Sequence, residues 1–382
     1  MDTENPPLSE PGLDHSMVQP GSVALVAVTR AGAELARKLQ RGLPGADIFL
    51  AGQIPGPDDA SGHTWHGGSR ELVRHLFAGY RALVIFGAVG MAVRLVGPLA
   101  ADKHTDPAVV VVDDGGRFAV SLLSGHLGGA NALARRVAAL IGADPVITTA
   151  SDALGTLAVD LLGQEFGWRL ENREQVARVS AAVVNGEPVA VLQEAGEPGW
   201  WHHEGQLPPN MHPLFSLEEL AKSEWRAALI ITDRVLPGRD TLRLPCVVYR
   251  PRSLVAGIGC NRGTTADEIH TAVKAVFHTH GLSLTSLRKL ATVDLKRGET
   301  GLHLFARSLG LPIQFFSGAE LATVGHSPNP SAVVQRWVGT HGVCEPAAIL
   351  GSGSRELVVP KVRSRNVTVA VARIDFGVAR RG

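Results

Sequence analysis

Cysteine is scarce in this chain: Cys246, Cys260 and Cys344 are the three in 382 residues, widely spaced and with no C-x-x-C. So sparse and odd a count excludes a disulfide scaffold or a zinc ribbon and fits a reducing compartment. No apolar run approaches the ~18 residues of a membrane span, and none is expected. Neither sign of charge is in excess, with 37 Lys and Arg against 36 Asp and Glu. That balance argues against a surface built for nucleic acid, and nothing resembles an RNA- or DNA-binding module. Residues 1–20 are rich in Pro, Ser and acidic groups and lack the apolar centre of a signal peptide. They read as a disordered lead-in. Nucleotide signatures are missing too. Gly257 and Gly259 are followed by Gly263, one position late for a dinucleotide fingerprint, and no Gly-Lys-Ser/Thr marks a P-loop. These failures count against a nucleotide-binding transferase built on the same α/β layers.

What is present is ample apolar content, 45%, enough for real cores in two or three domains. Strand-like apolar runs alternate with helical periods. This predicts a multi-domain α/β protein with mixed, mostly parallel sheets flanked by helices, and a separate C-terminal α/β domain. The expected divisions are 21–150, a middle domain at 151–250, and 251–376.

The chain is organised around residues 108–149. Val109 to Val112 form an apolar strand, Asp114, Gly115 and Gly116 a turn, and Phe118, Val120 and Leu122 an alternating return strand. Ser124, Gly125, His126, Leu127, Gly128, Gly129, Ala130 and Asn131 then open a helix with Leu127, Ala130, Leu133, Ala134, Val137 and Ile141 on one face. Backbone N–H groups at such a start lack internal partners, which suits an anion or oxyanion. A plain glycine-rich turn is the bland alternative, but it has no need of His126 or Asn131.

Two further junctions share this character. Gly87 and Gly90 follow the strand Ala82–Phe86 and open a helix carrying Arg94 near its beginning. Gly259, Cys260, Asn261, Arg262, Gly263 and Thr264 follow the strand Leu254–Ile258. Thr265 to Glu268 and Ser317 to Glu320 are capping boxes. Lys103, His104 and Asp106 form a dense acid–base segment before Pro107, which by itself reads as a solvated turn.

Other features read more simply. His63 and His66 lie in an expected loop at 51–68, with no partner at metal-ligand spacing. Trp200, Trp201, His202 and His203 read as a loop packed on its own domain. His278 and His280 read as surface histidines. Residues 151 to about 166 read as an apolar helix, 171–184 as a charged one, and 194–213 as aperiodic. A proline-rich loop at 327–330, a helix near 331–338, and two closing strands with a basic tip at Lys361, Arg363 and Arg365 complete the chain. No internal repeat is visible.

Lys103 to Ala108, the run Ser121 to Asn131, and Pro145 to Thr149 resemble the cobalt-precorrin-5A hydrolase (CbiG-type) family of cobalamin biosynthesis. So do Gly257 to Cys260, Gly263, Thr264, Asp294 to Lys296, Glu299, Gly301, Leu302, Gly310 to Pro312, Phe316, Ser317 and Val359 to Lys361. Asn261 stands where the family pattern has a basic residue, and Cys344 where a small one is commoner. The resemblance implies a hydrolase that opens the δ-lactone of a ring-contracted tetrapyrrole, releases acetaldehyde and yields cobalt-precorrin-5B. No cofactor is expected on the protein, since the cobalt travels with the substrate. The expected setting is cytoplasmic, with corrin-pathway enzymes as hand-off partners and neither nucleic acid nor membrane. A non-catalytic corrinoid carrier is the alternative.

For that chemistry the expected base is His126, with Asn131 or the Gly128 and Gly129 amides as oxyanion donors. His104 with Asp106 would be a second acid–base pair. Ser124 is a candidate nucleophile ranked below them, because no Gly-x-Ser-x-Gly elbow surrounds it. The substrate's carboxylates would meet Gly87, Gly90, Arg94, Lys103, Gly125, Gly128, Gly129, Gly259, Asn261, Arg262, Gly263, Thr264, Lys296, Glu299 and Lys361, gathered round one cleft.

Overall fold

The computed structural model describes residues 23–52, 54, 62–102, 105–201, 207–220, 224–236, 244–324 and 342–376. The chain divides into two compact bodies, 1–161 and 162–382.

The first body alternates β1 (Val23–Ala27), α1 (Arg30–Gly42), β2 (Ala46–Ala51), β3 (His63–Trp65), α2 (Ser69–Gly79), β4 (Ala82–Phe86) and α3 (Val89–Val96). It continues with β5 (Ala108–Val112), β6 (Phe118–Leu123), α4 (Ala130–Ile141), β7 (Asp144–Val146) and α5 (Ala150–Leu154). Seven strands form one sheet in the order β3-β2-β1-β4-β5-β6-β7. The first five in that order are parallel, β6 runs antiparallel to β5, and β7 runs parallel to β6.

Helices cover both faces, which is why the central strands are apolar at every position. On one side Leu25, Val84, Phe86 and Val110 pack with Ala36, Leu39, Ala134 and Val137 of α1 and α4. On the other, Val26, Leu83, Ile85, Val109 and Val111 meet Leu72, Val73, Leu76, Ala92 and Val96 of α2 and α3. The reversal into β6 is fastened by Asp113, whose Oδ1 accepts from the N–H groups of Arg117 and Phe118 at 2.9 and 2.7 Å.

In the second body, β8 (Arg169–Glu171), α6 (Val176–Val184), β9 (Val189–Gln193), β10 (Met211–Leu214), α7 (Leu217–Leu220), β11 (Ala227–Ile231) and β12 (Cys246–Arg250) build a sheet ordered β10-β9-β11-β12-β8. A third sheet follows, from β13 (Leu254–Cys260), α8 (Ala266–Thr279), β14 (Leu287–Val293), α9 (Thr300–Ser308), β15 (Ile313–Phe316), α10 (Gly318–Ala322), a helix at Cys344–Ser352, β16 (Leu357–Ser364) and β17 (Val367–Arg373). Its order is β15-β14-β13-β17-β16, with β17 and β16 antiparallel additions. Asp233, fully buried, ties the two sheets together. It accepts from Arg373 through Nε and Nη2 and from the Ser253 hydroxyl at 2.7 Å. A buried carboxylate needs that full set of donors.

Several expectations are corrected. The 51–68 loop contains β3, held as an edge by pairing with β2 while His63 stacks on Phe49. The helix expected over 151–166 is only α5, stopping at Gly155, which adopts a left-handed φ of +61°. β8 is a strand between the two expected helices, where none was expected, and β10 one at the end of the stretch read as aperiodic, because sheet pairing overrides weak local pattern. Leu127 precedes α4 and is not on its face. Trp200 does pack on its own domain, its indole N–H donating to Gln193 at 2.8 Å. The lead-in, the 327–330 loop, the 331–338 helix, His202 and His203 lie outside the described residues.

Candidate functional site

The direction of β6 decides which junctions meet. Phe86 at the end of β4 lies beside Val112, whereas Leu123 at the end of β6 lies opposite Val109. The Gly87–Gly90 junction and the Ser124–Asn131 junction therefore leave the sheet at opposite ends, on the order of 15 Å of extended chain apart. One cleft does not gather both. Gly87, Gly90 and Arg94 fall away from His126, and Arg94 sits in the last turn of α3, donating to its own Gly90 carbonyl at 2.9 Å.

At the His126 end, α4 crosses over between the parallel strands β6 and β7. The loops leaving these two strands consequently lie side by side, the position that open α/β sheets use for ligands. The imidazole is held from both sides. Nδ1 is 3.1 Å from the Asp160 carboxylate, and Nε2 is 3.0 Å from the Ser151 hydroxyl and 3.3 Å from Asp152. The hydrogen bond to Asp160 raises the His126 pKa above its ordinary 6.5, against partial burial and with help from Asp152.

Asp152 organises the floor of this site. Burial works to raise its pKa, but hydrogen bonds from Thr149 (2.7 Å) and Arg135, with His126 beside them, hold it below the usual carboxylate value. Asn131 completes the set. It is 4% exposed, donates to Asp152 at 2.9 Å and Thr149 at 3.0 Å, and accepts from Ser121 at 2.7 Å. With both ends of its amide engaged, Asn131 braces Asp152 and has no N–H turned to an oxyanion.

The glycines serve the same construction. A Cβ on Gly125 would fall 2.7 Å from the Asn131 amide oxygen, so this turn closes only without one. Gly129 caps α4 at φ +88°, a conformation in which an L side chain is strained. The N–H groups of Gly129, Ala130 and Asn131 donate back to the carbonyls of His126, Ser124 and Gly125 at 2.9, 3.1 and 2.9 Å. These three N–H groups are thus spent on the turn itself, which removes Gly129 as an oxyanion donor.

The remaining first-body candidates also have local tasks. Ser124 donates its hydroxyl to the Asp106 carbonyl at 3.0 Å. The Asp106 carboxylate accepts from the N–H groups of Ala101 and Asp102 at 2.9 and 3.1 Å, capping the turn. Lys103 and His104 lie outside the described residues, and so does the proposed His104–Asp106 pair. Ser151, Asp152, Asp160 and Arg135 are the residues that sequence reasoning missed. Ser151 and Asp152 follow directly on the Thr148–Thr149 exit of β7, a recognisable strand-to-helix junction, but Asp160 sits in a segment with no local signal.

In the C-terminal domain part of the expected set comes together at the ends of β13 and β14, namely Gly263, Lys296 and Glu299. Gly263 donates its N–H to Glu299 at 3.0 Å, and Lys296 donates to the same carboxylate at 3.0 Å. The Gly263 hydrogen bond is the main cause that holds Glu299 below its ordinary value. Thr264 donates to the Asn261 carbonyl at 2.9 Å, and the Asn261 side chain pairs with Asn366. The Gly259 carbonyl accepts from Thr368 at 3.3 Å, and the Lys361 backbone N–H donates to Glu345 at 3.0 Å. Burial raises the Cys260 thiol and pushes Cys344 up to about 11, so neither is a ready nucleophile.

Among the described residues no group of His, Cys, Asp and Glu has the arrangement of a metal site, and no helix is long and apolar enough to cross a membrane.

Comparison with known proteins places the whole chain. Residues 71–152 match the family described as Cobalamin synthesis G N-terminal, 157–251 the Cobalamin biosynthesis central region, and 254–372 the Cobalamin synthesis G C-terminus. A Priestia megaterium protein named cobalt-precorrin-5A hydrolase is 41% identical over 370 residues, 96% of this chain and 99% of its own. Its Salmonella typhimurium namesake is 33% identical over 373 residues, 93% and 98% of the two chains. Protein CobE of a Sinorhizobium species is 34% identical over 121 residues, 31% of this chain and 79% of its own.

Proposed function

The chain belongs to the cobalt-precorrin-5A hydrolase family of cobalamin biosynthesis, and from that premise we propose that it opens the δ-lactone of a ring-contracted cobalt tetrapyrrole at His126, releasing acetaldehyde and cobalt-precorrin-5B. The observation that carries the assignment of the site is the imidazole clasped between Asp160 and the Ser151–Asp152 pair at the ends of β6 and β7.

Lactone hydrolysis consumes one water and needs a base to take its proton. His126 is that base. Asp160 fixes the ring by accepting from Nδ1–H, leaving Nε2 to receive the proton, and stabilises the imidazolium that results. Asp152 is held ionised by Thr149 and Arg135, which keeps a second negative charge beside the imidazolium. Opening the ring ester frees an alkoxide on the excised carbon. The alkoxide collapses to acetaldehyde as the carbon–carbon bond breaks, and the bond's electron pair passes into the conjugated, metal-bearing ring of the substrate. The electron sink belongs to the substrate, so this reading asks for no cofactor on the protein. In the second body, the Gly263–Lys296–Glu299 cluster with Arg262 is assigned a carboxylate-binding role of its own. A cytoplasmic setting and hand-off to other enzymes of the pathway complete the reading.

Incubating the protein with the lactone intermediate, and following acetaldehyde together with the product's absorption spectrum, tests the reaction. His126→Ala should slow acetaldehyde release at least about 10²-fold, and near-normal turnover by that variant would remove His126 from the mechanism. Tight corrinoid binding by the unaltered protein without acetaldehyde would mark a carrier.

A further inference from the structure

Around His126 the hydroxyl groups are not equivalent. Ser124 is committed to the Asp106 carbonyl, Ser121 to the Asn131 amide oxygen, and Thr149 to the Asp152 carboxylate. Ser151 differs, because its Oγ lies 3.0 Å from His126 Nε2. The opposite ring nitrogen is 3.1 Å from Asp160. Hydroxyl, imidazole and carboxylate stand in the sequence that turns a serine into a nucleophile toward an ester. Among the described residues the one competitor for Nε2 is Asp152 at 3.3 Å, which already accepts from Thr149, Asn131 and Arg135. Ser151 itself is 7% exposed, a shielded place that favours an ester intermediate over immediate loss to bulk water.

We propose that Ser151 is the nucleophile of lactone opening and that the reaction passes through an ester between Ser151 and the acyl group of the lactone. This rests on the hydrolase reading above. In the first half, Ser151 Oγ bonds to the lactone carbonyl carbon and gives its proton to His126 Nε2. The ring C–O bond breaks, and the alkoxide so freed collapses to acetaldehyde. The released electron pair stays on the macrocycle, which takes up the proton from His126. In the second half, water attacks the Ser151 ester and gives a proton to His126. Oγ leaves with that proton, and the substrate's carboxylic acid is released. One water is consumed, and nothing is oxidised or reduced.

The experiment treats the full-length protein with an alkyl fluorophosphonate, locates the adduct by peptide mass spectrometry, and assays acetaldehyde release on the same samples. The expected result is one phosphonyl group on Ser151, activity lost in proportion to labelling, and no labelling of His126→Ala. Ser151→Ala should slow acetaldehyde release roughly 10³-fold or more. The proposal is overturned if active protein stays unlabelled, if the label lies elsewhere, if labelled protein keeps its activity, or if folded Ser151→Ala stays within tenfold of the parent. Should Ser151→Ala fail to fold, labelling of the unaltered protein decides the matter. Ser151 labelled in a protein that releases no acetaldehyde would retire the lactone reading and leave the nucleophile standing.

Discussion

Two glycine-rich strand-to-helix junctions in this protein look alike in sequence and work differently in space. At 124–131 the N–H groups of Gly129, Ala130 and Asn131 are consumed by the turn's own carbonyls, and the chemistry rests on side chains: His126, with Ser151 and Asp160 brought from the next segment. At 259–264 the turn keeps an outward N–H, that of Gly263, and Glu299 arrives from α9's start to cover it with a carboxylate that Lys296 neutralises. A glycine-rich junction thus offers a shape, and the neighbouring element decides whether that shape holds a proton relay or an ion cluster. The first should answer to changes in proton affinity, the second to changes in charge pairing.

The sharpest way to break this contrast is to remove each centre. His126→Ala should lower acetaldehyde release by about 10²–10⁴-fold, while Glu299→Ala should leave kcat within tenfold and act on KM. Equal losses in kcat would abolish the distinction. Next in size, Asp160→Asn should cost on the order of 10²-fold, the low end of a general-base contribution, and alter the pH profile. With Asp160 in place, activity should rise with pH as the free imidazole accumulates, through an inflection above the ordinary 6.5. The Asn variant should move that inflection down, and an unmoved inflection would take Asp160 out of the relay. The linked stability runs the other way. A raised histidine pKa stabilises the fold in full below about 6.5, and the contribution fades as pH climbs through the folded value.

Smaller effects sharpen the structural half. Asn131→Ala leaves the Ser121 hydroxyl without its acceptor and takes one donor from Asp152, and it should destabilise the first body by about 1–3 kcal/mol, read by denaturant unfolding. Unchanged stability would contradict a bracing role. Smallest is Glu299→Gln, expected to cost up to about 1 kcal/mol. Glu299 is held below 4.5, so its stabilisation is present above that value and fades as pH falls through the folded one. The Gln variant should lack that part of the acid slope.

Much of the local architecture was legible before any coordinates. Thr265 accepts from the Glu268 N–H at the start of α8, and Ser317 and Glu320 close a reciprocal capping box. Both patterns lie within four consecutive residues and need nothing distant. The Val109–Val112 strand and its return through Phe118–Leu123 were equally plain, since β-branched runs and a glycine turn are local signals. His126 was singled out because it sits inside a turn that needs no histidine. Its partners were not, since Ser151 and Asp160 lie 25 and 34 positions further on. Asp160 belongs to no helix or strand with a period to betray it. Asn131 was noticed for the right place and the wrong task, because hydrogen-bond saturation is invisible until the acceptors are located.

By itself the sequence determined the alternation of strands and helices, the caps that start α8 and α10, and the His126 turn, because each depends on residues within one or two turns of one another. Only the tertiary structure decided which end of the sheet each junction faces. The β5–β6 reversal turns the chain round, sends Gly87–Arg94 one way and His126 the other, and lets the β7 exit deliver Ser151, Asp152 and Asp160 to the same imidazole. Direction within a sheet is a property of strand pairing, and no short stretch of residues contains it.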